Sequence, residues 1–190
     1  MDLVARAKNI LMSPKTEWPV IAVEPTDVVS LYRGYIVPLA AIPSICGFIG
    51  YSVVGNRLFH MPIGAGLLLA ILAYVLTLGG VFVVGVIISK LAPRFNGQED
   101  LVQGLKVAAY AATASWIGGV FRLLPTFGIL GVLVGLYSLY LLYTGLPILM
   151  KSSGSTALAY TVTTIIAAML VSILIAVVVG ALASGAIIAL

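Results

Sequence analysis

Charge, histidine and cysteine are scarce in this chain. Its 190 residues hold ten lysines and arginines, six acids, one histidine and one cysteine, against 62% hydrophobic residues. Mean hydropathy is +1.19. Soluble domains carry about 25% charged residues on their surfaces, and 8% is too few to wet a globule of this length. A lone cysteine, Cys46 in an apolar run, excludes an intrachain disulfide and reads as a small buried hydrophobe. His60 has no Cys, Asp or Glu beside it, so it reads as an interfacial histidine and not as a metal ligand. HExxH, GxSxG and GxxxxGK[ST] patterns are absent, and the apolar runs contain no paired carboxylates and no histidine. The chain thus lacks the placed acids, bases, nucleophiles and phosphate cradles of an enzyme, and no cofactor is implied. The net charge of +4 comes from single basic residues at the ends of apolar runs. That pattern excludes a nucleic-acid face and marks topology instead. Asp2 and the dispersed charges of MDLVARAKNILMSPK do not make a signal peptide.

What is present is a series of apolar runs. The sequence predicts an all-α, polytopic integral membrane protein with five transmembrane helices and a short amphipathic N-terminal segment. Its divisions are a cytoplasmic, interfacial segment over residues 1–33 and a membrane domain over 34–190. Span one, residues 34–54, is uncharged and long enough to cross about 30 Å of hydrocarbon at roughly 1.5 Å per residue. Pro38 and Pro43 each remove an amide donor within it, which predicts a kink or break in its first half. Span two covers 61–89 and ends at Lys90. After the polar loop 91–104, span three runs only from 107 to 121. That is roughly 22 Å of helix, so it must thin the bilayer, lean on snorkelling Lys106 and Arg122 or be sheltered by neighbours, and sheltering is the expectation. Span four covers 126–150. Span five covers about 157–179, with a frayed or bent tail around Gly180 and Gly185.

Small residues mark the expected contacts. Ala111, Ser115 and Gly119 recur every four residues, and Gly131 and Gly135 form a GxxxG pair. Tyr137, Tyr140 and Tyr143 follow at steps of three. With Pro38 and Pro43 they are candidates to line a cavity, although tyrosines that bond between helices fit the same spacing. Trp18, Tyr32, Arg33 and Tyr35 suit an interfacial belt. Glu24 and Asp27 near Arg33 read as a solvated or ion-paired group. Thr16 is placed to cap the helix that contains Glu17, Trp18 and Pro19.

Leu3, Ala7, Ile10 and Leu11 share one side of a short helix, with Arg6 and Lys8 among its polar positions. It either lies on the membrane surface or packs on the protein's own spans. With five spans, Arg6, Lys8, Lys15, Arg33, Lys90, Arg94, Lys106 and Lys151 fall on one side, against Arg57 and Arg122 on the other. The positive-inside rule puts the N-terminus in the cytoplasm and the C-terminus across the membrane.

TEWPVIAVEPTDVVSLYRGYIVPLAAIP, FNGQEDLVQGLKVAAYAATASW and LLPTFGILGVLVGLYSLYLLYTGLPILMK together resemble the bacterial branch of the Yip domain family, named for Ypt/Rab GTPase-interacting proteins. The resemblance runs from Ser13 to about Val179, and GLYSLYLLYTGLP is its most specific part. It implies a five-helix protein, in a bacterial cytoplasmic (inner) membrane, with a cytoplasmic N-terminus. The segment before the membrane is far shorter than in eukaryotic relatives, which argues against a GTPase partner. Ala114 stands where many bacterial relatives carry proline, leaving a kink in span three open. The expected function is non-catalytic: membrane organisation or a trafficking-like process, through association with itself or other membrane proteins and with membrane lipids as partners. The alternative is a channel, carrier or lipid-moving protein for a neutral solute or lipid.

Overall fold

Apolar runs that must satisfy every backbone amide internally fold as helices. In a computed structural model, residues 2–55, 61–124 and 127–188 are described, and among them the chain is helical without strands. His60 and Arg57 lie outside the described residues, as do Pro125 and Thr126. Two short helices come first, α1 (Leu3–Met12) and α2 (Pro14–Val23). Asp2 caps α1 by accepting the Val4 amide. The start of α2 corrects the Thr16 expectation. Proline occupies its first position, where no amide is needed, and the Thr16 hydroxyl donates to the Ser13 carbonyl.

Among the described residues four helices are long and apolar enough to cross a membrane: α3 (Val28–Val54), α4 (Ile63–Leu91), α7 (Gly128–Leu149) and α8 (Ala157–Ile188). Between α4 and α7 lie α5 (Leu101–Ala111) and α6 (Thr113–Gly118), followed by a 3-10 turn over Gly119–Leu123. The predicted break in the first half of α3 takes a milder form. The helix is continuous, but it widens into π-helical turns at Tyr32–Ile36, just before Pro38, and again at Ile49–Val54. A widened turn accommodates a residue that cannot donate without ending the helix. α8 runs through Gly180 and on to Ile188.

At the centre stands α5, with every residue from Gly104 to Ala111 buried. It packs on α4 and α7, and α6 packs on α3 and α7. α8 lies outside them against α4 and α7. The chain breaks at Ala112, between α5 and α6, without a proline at Ala114. Of the two readings left for the N-terminal helix, the coordinates favour packing: Ala7 and Ile10 of α1 belong to the protein core.

Candidate functional site

Gln103, Lys106, Tyr110 and Thr113 are spaced by three, four and three residues, so they form one polar stripe along α5 into α6. Facing it, Glu17, Ile21 and Glu24 share a stripe on α2. Arg6 lies one turn before buried Ile10, so it too points inward. The two surfaces meet in a buried charged cluster. The Arg6 guanidinium, only 2% exposed, donates to Glu17 and Glu24 and lies 5.8 Å from the Tyr110 ring centre. Lys106 Nζ donates to the carbonyls of Ile21 (2.8 Å) and Glu24 (2.7 Å), capping the C-terminal end of α2 with positive charge. Gln103 Nε2 donates to the Ala22 carbonyl at 2.9 Å. Deeper in, the Tyr35 and Thr113 hydroxyls bond at 2.7 Å, and Tyr110 packs between the rings of Tyr35 and Trp18.

This cluster corrects several expectations. Trp18 and Tyr35, expected half in lipid, are 0% and 4% exposed. Indole Nε1 of Trp18 donates to the Thr144 hydroxyl at 3.1 Å. Lys106 does not snorkel: it is buried because two carbonyls at the end of α2 satisfy it. Arg6 is not a solvated position, and Glu24 pairs with Arg6 instead of grouping with Asp27 and Arg33. Asp27 caps the start of α3, where the Ser30 amide first and the Ser30 hydroxyl second hold its carboxyl below the ordinary value. Tyr32 is half-buried and donates to the Leu78 carbonyl; Arg33 and Arg122 are exposed.

The small residues meet within one chain. Gly131 faces the Gly118 carbonyl, and Gly135 lies opposite Ser115, whose hydroxyl and amide both reach the Ser138 hydroxyl. A methyl group on Gly119 would strike Pro43, and Ala111 is buried in α5. Sequence reading missed tighter contacts. A Cβ on Gly104 would meet the Gly85 carbonyl and Ser89, one on Gly50 would overlap the Arg122 carbonyl, and one on Gly145 would enter the Trp18 ring. These glycines form no GxxxG pair. Only pairing the helices reveals them.

Of the proposed cavity-lining residues, Pro43 packs on Gly119 and Pro38 is exposed. Tyr137 donates to the Leu11 carbonyl at 2.9 Å, and with Tyr140 it borders a small groove beside Met12–Thr16. Tyr143 is on an exposed face of α7. A larger cavity, about 610 Å³, lies elsewhere, between α4, α5–α6, α7 and α8. None of these tyrosines or prolines lines it.

A family model for the Yip1 domain matches residues 8–188, which takes in all the long helices and Glu17, Glu24 and Lys106 of the charged cluster but not Arg6. The chain belongs to the Yip1 domain family. Its similarity to curated proteins includes inner membrane protein YohC from two Escherichia coli strains, K12 and O6:H1. Each is 29% identical over 171 residues, covering 86% of this chain and 88% of the relative. No solved structure matches. As a Yip1 domain protein with four apolar crossing helices, the chain is an integral membrane protein.

Proposed function

We propose that this Yip1 domain protein is a non-catalytic organiser of the bacterial inner membrane, working through association with copies of itself or other membrane proteins. The observation that carries the reading is how its buried charges are engaged. Arg6, Glu17 and Lys106, the buried charged side chains among the described residues, are all bonded to groups of the same chain. A catalytic acid or base needs a group left available to a substrate. Here the charges hold helices together, and the described glycine contacts do the same.

Five crossings, with the N-terminus cytoplasmic and the C-terminus opposite, complete the proposal. The support is that residues 113–122 run beside α3 from Tyr35 to Gly50, more than half of its length. Tyr35 meets Thr113 near one end, Pro43 meets Gly119 further on, and Gly50 meets Arg122 at the other. A segment that accompanies a spanning helix through its middle, with the polar loop 91–104 before it, is placed to span with it. Five crossings then place Lys90, Arg94, Lys106 and Lys151 on the same side as Arg6, Lys8 and Lys15, the cytoplasmic arrangement. The inner membrane follows the similarity to YohC.

Since the glycine ridges are engaged inside the chain, association falls to outer faces such as that of α7, where Val132, Leu136 and Tyr143 are exposed. The test is crosslinking in native membranes followed by mass determination in nanodiscs. The proposal expects a species heavier than the 19.8 kDa protomer, or a reproducible membrane-protein neighbour crosslinked through α7. A monomer without such a neighbour overturns it.

A further inference from the structure

The 610 Å³ cavity lies within the range of about 300–1,000 Å³ usual for small-molecule sites. It is bordered by no charged residue. Thr77, on its wall, is at the middle of α4, and Ser138 is near the middle of α7, so the cavity sits deep in the membrane. Its hydroxyls divide into two kinds. Thr77 and Ser172 donate to carbonyls four residues back, at 2.7 and 2.8 Å, and ask for nothing more. Thr164 does not: it is 0% exposed, borders the cavity, and its Oγ1 has no partner, whereas Thr161 and Thr163 of the same helix return to their own carbonyls. Ser115 and Ser138 bond to each other at 2.8 Å. Whichever donates, the other retains a hydroxyl proton. The cavity thus offers two unengaged O–H donors within apolar walls.

We propose that this cavity binds an uncharged lipid whose carbonyl oxygen reaches the middle of the membrane and there accepts hydrogen bonds from Thr164 and the Ser115–Ser138 pair. One or two waters can meet the hydroxyls but leave most of the apolar-walled space of about 610 Å³ unfilled. A phospholipid headgroup does not suit it either, since a charge at this depth is costly and no opposite charge lines the wall. Two sources share the required chemistry, a carbonyl on an apolar tail: an isoprenoid-type quinone and a diacylglycerol. Entry is from the lipid between α7 and α8, where Leu139, Met169 and Ile173 are exposed. The α4–α8 side is closed, since even a Cβ on Gly80 would press on Ile175 and Val171. The inference concerns the cavity alone and does not depend on assembly.

The full chain in nanodiscs is titrated separately with radiolabelled decylubiquinone, dioctanoylglycerol and dioctanoyl phosphatidylglycerol, with empty nanodiscs as the baseline. One or both neutral probes bind above baseline, and which one does so identifies the source. Thr164→Val, nearly equal in shape, weakens that binding about tenfold, the loss of one hydrogen bond in an apolar site. Ala168→Trp, which fills the cavity, abolishes it, and Ser172→Ala leaves it unchanged. No neutral binding above baseline overturns the proposal. So does equal binding by wild type and Thr164→Val, or binding of the phospholipid alone.

Discussion

α5 and α8 differ in a way that reverses the rule for soluble proteins. α8 belongs to the most apolar stretch of the chain, yet none of the residues in its most apolar part is buried. α5 carries Gln103, Lys106 and Tyr110, and its residues from Gly104 to Ala111 are all buried. In lipid, apolar side chains have no need to leave their surroundings. Helices associate through small residues, close packing and hydrogen bonds instead. α5 is therefore buried through alanine, glycine and a polar stripe interleaved with Leu105 and Val107, whereas α8 turns leucine, isoleucine and valine to the rim.

Substitutions break or sharpen that contrast, beginning with the largest effect. Arg6→Met leaves Glu17 buried without its cation, and removing one member of a buried pair costs about 3–5 kcal/mol. Thermal unfolding of the detergent-purified protein should show that loss. Arg6→Met with Glu17→Met should recover much of it, and a double variant as unstable as the single one would refute the pairing of Arg6 with Glu17. Gly104→Ala comes next. Its methyl meets the Gly85 carbonyl at 2.5 Å, an overpacking that costs about 1–3 kcal/mol. Gly79→Ala, with nothing within 4 Å of the added methyl, should be neutral or slightly stabilising by the same assay. On the lipid side, Leu174 is 64% exposed. Leu174→Ala should change the unfolding midpoint less than Gly104→Ala does, although it deletes more apolar surface. The reverse order would place the core in the wrong helix.

The smallest effect is at Asp27. Its carboxyl titrates below the ordinary range because the ionised form accepts the Ser30 amide and hydroxyl. A depressed value means that its contribution is full above the unfolded value and is lost as pH falls through the folded one. The Ser30 amide resonance should follow that titration, at a pH below that of an unstructured aspartate. Asp27→Asn, which still caps, should remove the pH dependence without unravelling the start of α3.

The positions of the long helices were legible because hydropathy over some twenty residues reports crossing directly. The shelter given to the short third run was legible from its length. What hydropathy could not convey was which polar groups turn inward. Arg6 was countable, one turn from Ile10 and therefore on the buried side, and Glu17 and Glu24 are two turns apart on one face of α2. Arg6 meets Glu17 and Glu24 across the α1–α2 turn, but the α2 carbonyls that bond Gln103 and Lys106 lie more than eighty residues from them, and no local spacing announces that contact. Lys106 looked like a snorkelling end residue for the same reason. Gly104 and Gly85 meet across two helices, so neither shows a pattern along its own. The break at Ala112 carries no proline, and the cavity beside it is framed by residues from four separate segments.

The central claim is that the polar, buried segment 101–123 crosses the membrane alongside α3. Cysteines placed singly at Glu99 and Leu124, in a Cys46→Ser background, test it with an impermeant maleimide on intact spheroplasts and on opened membranes. Leu124→Cys should label from outside in intact spheroplasts, and Glu99→Cys only after the membrane is opened. Labelling of both positions from the same side would contradict the account.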